Sequence, residues 1–348
     1  MPDLFKNIKE SNLFKNEVAL DPSFHPKKIQ FRESENEYIA TCIKPLLQKR
    51  SGKNLLIHGP PGIGKTISCK NILSELEETT DDLFLFYINC WKKNTSYQII
   101  LELCDQLNYK FTQNKRFDEL FEIVKQKINQ KSAVFIFDEA DKAESLEILY
   151  NIAEEIYRKS VILITNDNSW IYNIDSRIKS RLLPENLEFR PYNLQETTEI
   201  LKSRLKLAFS KNTFNTDSFN LISQKTFELQ DIRIGLFLLR ESALISEFKS
   251  KFITEQHVLK AIEKLKDFTL AIKLDKEESS LLEIIKQNQG ATTGEIFQIF
   301  RELTGKKERT FQKNLKNLET AKLVDLERIT GIHGKSFKVT FNKKLTDF

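Results

Sequence analysis

The chain has 348 residues, 40% of them hydrophobic and 30% charged, with a formal net charge of +5, which suits a soluble globular protein of two or three domains. No apolar run approaches the ~18 residues a membrane span needs, and the start, Met-Pro-Asp-Leu-Phe-Lys, lacks the cationic flank and apolar block of a signal peptide. Cys42, Cys69, Cys90 and Cys104 are scattered without C-x-x-C spacing, which argues for buried free thiols in a reducing compartment and against a zinc site.

Taken in chain order, residues 1–31 are polar and interrupted by Pro22 and Pro26, the pattern of an extended arm. Residues 32–49 read as a helix kinked at Pro45. Strands and helices then alternate. Apolar strands are expected at Asn54–His58, Leu83–Asn89, Ala133–Phe137, Val161–Asn166 and Leu187–Arg190, with helices at 65–78, 95–107, 117–130 and 145–158. Continuous apolar strands separated by helices predict an α/β fold with a parallel sheet covered on both faces, spanning 32–190. Residues 191–270 are helical in pattern and predict a lid. A hinge is expected around Leu270–Lys276, followed by a third unit over 276–348.

Gly59-Pro60-Pro61-Gly62-Ile63-Gly64-Lys65-Thr66 fits the phosphate-binding pattern G-x-x-x-x-G-K-[ST]. A strand precedes it and a helix follows. Glycines let backbone N–H groups turn inward, and the helix N-terminus adds positive partial charge. Lys65 is placed for the outer phosphates of ATP or ADP, and Thr66 for Mg²⁺. In Val134-Phe-Ile-Phe-Asp-Glu-Ala-Asp141 an apolar strand runs into acids at its carboxyl end, where ligands of open α/β sheets gather. Asp138 is the second Mg²⁺ candidate, and Glu139 is placed to activate a water. Asn166, ending the next strand, suits the γ-phosphate or the attacking water, although Thr-Asn-Asp is also ordinary turn chemistry. Arg177 and Arg181 are candidate fingers, in cis or in a neighbouring subunit's site. Arg233, in Asp231-Ile-Arg233 at the head of a lid helix, is placed to close over the γ-phosphate.

Charge is unevenly distributed. Between Arg301 and Lys344 twelve Lys/Arg face five Asp/Glu, a net +7, so the remainder carries about −2. A basic end on a near-neutral body predicts a polyanion partner. Residues 279–342 have the order of a winged helix: helices at 279–287, from Thr292 and at 308–322, then strands at 323–330 and 336–341. In the third helix Phe311, Leu315 and Leu318 face inward. Arg309, Thr310, Lys313, Lys316 and Asn317 remain for duplex DNA, the lysines on phosphates and the others with Lys313 on base edges. The tip Gly331-Ile-His-Gly-Lys335 brings Arg328, His333 and Lys335 to the minor groove or backbone. Lys92 and Lys93, before the helix at 95–107, are a second candidate DNA contact or simply the solvated start of a covering helix.

The ordered set of phosphate loop, acid pair, strand-end Asn, arginine cluster and helical lid with Asp-x-Arg resembles an AAA+ ATPase. Within that class the chain resembles the archaeal origin-recognition and cell-division-control type replication initiators. The stretches that carry this are Leu13–Pro22, Phe31-Arg-Glu33, Tyr87-Ile-Asn-Cys90, Thr95-Ser-Tyr97, Thr165-Asn-Asp167, Asp175–Ser180 and Arg190-Pro-Tyr-Asn193. The likeness implies an AAA+ core with lid and a C-terminal winged helix. It also implies a slow, switch-like Mg-dependent ATPase that binds double-stranded origin DNA and helps load the replicative helicase. It admits self-association on DNA and a nucleoid-associated place in the cytoplasm. It puts Arg32 and Tyr192 near the adenine and makes Arg177 the better match of the two candidate fingers. The chain departs from the family at Gln230, where Gly is usual, and in the Pro-Pro-Gly-Ile of its loop. Arg181 resembles a clamp-loader finger. A clamp-loader-like subunit and a nucleotide-gated transcription regulator are the rival expectations.

Overall fold

A computed structural model of the chain describes residues 13–24, 26, 29–167, 169–247, 252–273, 275–320, 324–331 and 334–341. They fall into two compact units, Met1–Arg240 with Ser250–Phe252, and Glu241–Lys249 with Ile253–Phe348.

The first unit is built on a five-stranded parallel sheet with strand order β2-β3-β4-β1-β5. The strands are β1 (Leu55–His58), β2 (Leu83–Asn89), β3 (Ser132–Asp138), β4 (Lys159–Thr165) and β5 (Glu185–Glu188). Every residue of β3 is buried, as an apolar run covered on both faces requires. Alternation along β3 splits the core. Phe135 and Phe137 pack on one side with α3 (Ser96–Gln106), α4 (Phe117–Ile128), α5 (Glu147–Glu155) and α7 (Ser176–Leu182). Val134 and Ile136 pack on the other with α1 (Glu33–Leu47) and α2 (Lys65–Thr79). A short α6 (Trp170–Asn173) precedes α7.

The helical lid begins with α8 (Leu194–Ala208), which a reciprocal Asn193/Glu196 capping box starts. It continues with α9 (Thr216–Leu229) and α10 (Ile232–Glu247). All four cysteines are buried free thiols. Among the described residues no helix is long and apolar enough to cross a membrane.

One expectation needs correcting. The described part of the arm is not simply extended: Glu17–Leu20 forms a 3-10 turn, with Ala19 and Leu20 buried. Lys15 N–H donates to Ala208 O at 2.7 Å, and Phe14 bridges Phe209. Burying Ala19 and Leu20 outweighs the freedom of an open arm. α11 (Glu255–Lys273) ends within the stretch Leu270–Lys276 where a hinge is expected, and Asp275 caps the next helix with Glu278 in a second capping box.

The second unit contains α12 (Lys276–Gln287), α13 (Thr293–Thr304), α14 (Glu308–Thr320) and an antiparallel hairpin of β6 (Val324–Gly331) and β7 (Gly334–Phe341). Its core joins Leu281, Ile285, Ile296, Phe300, Phe311, Leu315, Leu318 and Val339. Thr292, which caps α13, also bridges Lys338 of β7. This is the helix–helix–helix–hairpin order expected of a winged helix.

Candidate nucleotide-binding site

Parallel pairing sets the positions from which the site is built. His58 at the end of β1 lies opposite Thr165 at the end of β4, and Asn89 at the end of β2 lies opposite Asp138 at the end of β3. The carboxyl ends of these strands therefore converge, and the chain leaves β1 there into the loop Gly59–Gly64.

Gly62 and Gly64 have φ of 73° and 97°, the left-handed region that glycine enters without strain. Space imposes the same need. A Cβ on Gly62 would lie 1.9 Å from Asp231 Oδ1, and one on Gly64 would lie 2.9 Å from Tyr192 Oη. Lys65 is 6% exposed. Its ammonium donates to Gly59 O and Pro60 O at 2.7 Å and to Asn166 Oδ1 at 2.8 Å. Burial lowers its pKa to about 8, opposed by the Asp138 carboxylate and reinforced by Arg233.

Asp138 is fixed by three donors. Thr66 Oγ1 and Tyr87 Oη donate to its Oδ2 at 2.9 and 2.6 Å, and the Glu139 N–H donates to Oδ1 at 3.0 Å. A hydroxyl and a carboxylate side by side at the start of α2 are hard oxygen donors of the kind Mg²⁺ takes. Glu139 adopts φ 53°, a left-handed conformation that a non-glycine residue holds only under surrounding constraint. Burial first, then the Asp138 and Asp141 carboxylates, raise its pKa.

The lid completes the site. Arg233 is held by Asp231, with Nε to Oδ1 at 3.0 Å and Nη2 to Oδ2 at 2.6 Å. The Ile232 N–H donates to Gly62 O at 3.3 Å, so the head of α10 rests on the phosphate loop. A cavity of about 470 Å³ is lined by Pro61 through Thr66, Asp138, Glu139, Asn166, Tyr192 and Arg233. Gly59 and Pro60 contribute carbonyls to Lys65 and are not among the lining residues. The fit of a magnesium-bound nucleotide is supported by two features: the glycine cradle that side chains would fill, and the paired Thr66–Asp138 oxygens.

Arg32 is placed differently from expectation. It is fully buried and does not line the cavity. Its guanidinium donates to Ile63 O at 3.0 Å, Arg190 O at 2.6 Å and Glu35 Oε1 at 2.7 Å, and lies 4.1 Å from the Tyr192 ring centre. It also donates from Nε to Tyr192 Oη at 3.2 Å, so it braces the phosphate loop at Ile63 and the cavity wall at Tyr192. Arg177 and Arg181 are also outside the cavity. Both lie on α7, with Arg177 held by Asp175 at 2.7 Å and Arg181 by Glu154 at 2.9 Å. Sequence reasoning assigns no site role to Tyr87 or to the arm. Pro22, Pro26 and Ile29 nonetheless line the cavity, and only long-range packing brings them there.

On the second unit, Arg309, Lys313 and Lys316 are exposed on α14 at a spacing that puts them on one face. Thr310 is half-buried. Asn317 donates to Glu278 Oε1 at 2.7 Å, which ties its amide to α12 rather than leaving it open for a base edge. Arg328 lies on β6, and Lys335 lies opposite Thr330 on β7. His333 lies outside the described residues. In the first unit Lys92 is exposed, whereas Lys93 pairs with Glu102 at 3.3 Å.

Comparison with known proteins fits this geometry. Residues 48–168 match the family model of an AAA domain, and residues 198–263 match that of a Cdc6 AAA+ ATPase-type lid domain. The chain is 30% identical over 335 residues to ORC1-type DNA replication protein 2 of Methanosarcina acetivorans, covering 91% of this chain and 90% of that protein. It is also 30% identical to ORC1-type DNA replication protein 1 of Archaeoglobus fulgidus, covering 87% and 80%. The fold superposes on the Aeropyrum pernix Orc1 protein solved in complex with DNA, with a TM-score of 0.72, 23% identity and 97% coverage of each chain.

Proposed function

Since the chain belongs to the family of ORC1-type DNA replication proteins, we propose that it is a replication initiator whose first unit binds and slowly hydrolyses Mg-ATP and whose second unit grips duplex origin DNA. The observation that carries the reading is the cavity that gathers Lys65, Thr66, Asp138, Glu139, Asn166 and Arg233.

Each residue has a role that its position supports. The loop N–H groups and Lys65 hold the phosphates. Thr66 and Asp138 hold Mg²⁺, which when bound neutralises phosphate charge. Glu139 accepts a proton from the attacking water. Asn166, already bonded to Lys65, orients the γ-phosphate or that water. Arg233 carries the nucleotide state into α10, because Asp231 links it to the loop at Gly62. Arg177 and Arg181, exposed on α7, suit a finger acting in a neighbouring subunit's site. Tyr192 contributes an aromatic edge to the cavity.

The work is conformational: nucleotide biases the lid, and hydrolysis releases it. On α14, Arg309, Lys313 and Lys316 neutralise phosphates and Thr310 faces the groove. Arg328, His333 and Lys335 serve the wing, and Lys92 adds a contact from the first unit. The replicative helicase is the partner this activity serves, at the nucleoid in the cytoplasm.

Footprinting of the full chain on its replication origin and on the region beside its own gene tests the reading. Protection at the origin is expected. Protection only beside the gene would make it a transcription regulator, and absence of duplex binding at low salt would overturn both. For the nucleotide half, Glu139→Gln is expected to retain bound ATP without hydrolysing it; unchanged turnover would place the base elsewhere.

A further inference from the structure

Tyr87 is held from three sides. Its hydroxyl donates to Asp138 Oδ2 at 2.6 Å, the same oxygen that accepts from Thr66. The Lys70 ammonium of α2 lies 4.5 Å from its ring centre. Its backbone is held by a side chain: Gln106, the last residue of α3, donates from Nε2 to Tyr87 O at 3.0 Å and accepts the Tyr87 N–H at 3.3 Å.

That last pair has a structural cause. β2 is an edge strand, so among the described residues the backbone N–H and C=O on its outer side have no strand partner. The Gln106 amide takes the place of one, and Gln106 is itself held by Glu102 at 3.0 Å. A continuous set of hydrogen bonds therefore runs from α3 through Gln106 and Tyr87 to the carboxylate that faces Thr66.

We propose that Tyr87, seated by Gln106, is a positioning residue for Asp138, so that the docking of α3 on the edge of the sheet sets how readily the site takes Mg²⁺. The inference rests on the Mg-ATP reading above. A carboxylate with its donors fixed in advance presents its remaining lone pairs in one orientation. Removing a donor one shell out from a metal typically weakens the metal by one to two orders of magnitude.

The test uses the full chain and a fluorescent non-hydrolysable ATP analogue, titrated in EDTA and then with MgCl₂. For Tyr87→Phe the Mg²⁺ concentration at half-effect is expected to rise roughly tenfold, well beyond any change of the affinity in EDTA. Gln106→Leu, which leaves every side chain touching Asp138 in place, should move the Mg²⁺ midpoint in the same direction by about threefold. An unchanged midpoint in Tyr87→Phe, with or without a lower melting temperature, would overturn the proposal. Equal losses with and without Mg²⁺ would also overturn it. Failure of the wild-type chain to bind the analogue in either condition would instead reject the nucleotide reading itself.

Discussion

Lys65 sets a requirement that the motif alone does not state. Its three donors are directed at three oxygens, yet burial still brings its pKa down to about 8, because desolvation of the ammonium outweighs the attraction of the Asp138 and Asp141 carboxylates. Bound phosphates need the charged form. Below pH 8 that form is already present, and nucleotide affinity should be flat in this group. Above pH 8 the side chain must take up a proton on binding, so affinity should fall as pH rises, approaching tenfold per pH unit. Calorimetry in two buffers of different ionisation enthalpy would detect the proton uptake; no uptake at pH 9 would contradict the assignment. Arg32 carries the opposite lesson. Its place in a family-like Phe-Arg-Glu stretch directs attention to the adenine, but its acceptors are Ile63 O, Arg190 O and Glu35. A buried guanidinium goes where oxygens are, and those oxygens come from three separate segments of chain.

At the scale of elements, the strand–loop–helix at 55–79 forms as its sequence dictates, because the buried run and the glycines act locally. The junction between α9 and α10 is less direct. Gln230 closes α9 in the left-handed conformation, at φ 53°, at the position where the family resemblance leads one to expect Gly. The departure therefore marks a residue under mild strain rather than a different turn. Gln230→Gly should stabilise the protein by about 0.5 kcal/mol, since relief of a left-handed side chain slightly exceeds the added freedom of the unfolded glycine. Urea denaturation would measure it, and a loss of stability would show the strain is already absorbed elsewhere. α7 is not legible as a helix in the sequence. Its residues, Ser-Arg-Ile-Lys-Ser-Arg-Leu, are mostly polar and span too few turns to show periodicity, and burial of Ile178 and Leu182 beneath it holds it in place.

Across the whole molecule, charge is separated from the nucleotide chemistry. The cavity lies within the first unit, and the excess positive charge lies between Arg301 and Lys344. Duplex affinity of the full chain should fall steeply with salt. Combining Arg309→Ala, Lys313→Ala and Lys316→Ala should lower the slope of log affinity against log salt by about 2 to 3, near 0.9 for each phosphate no longer neutralised. Fluorescence anisotropy at several salt concentrations reads this directly, and an unchanged slope would move the DNA-binding face off α14.

The sequence by itself determined the parallel-sheet core, the phosphate loop and its acid pair, and the helix–hairpin order of the basic end. Each of these is written in periodicity, glycine placement or a contiguous motif, so nearby residues suffice to specify it. Only the tertiary structure decided that Asn166 bonds Lys65, that Tyr87 holds Asp138 and that Arg32 braces the loop. It also decided that Asn317 is tied to α12 and that the arm walls the cavity. Those relations join residues far apart in the chain, and the partner a polar group takes there depends on which acceptors packing leaves within reach.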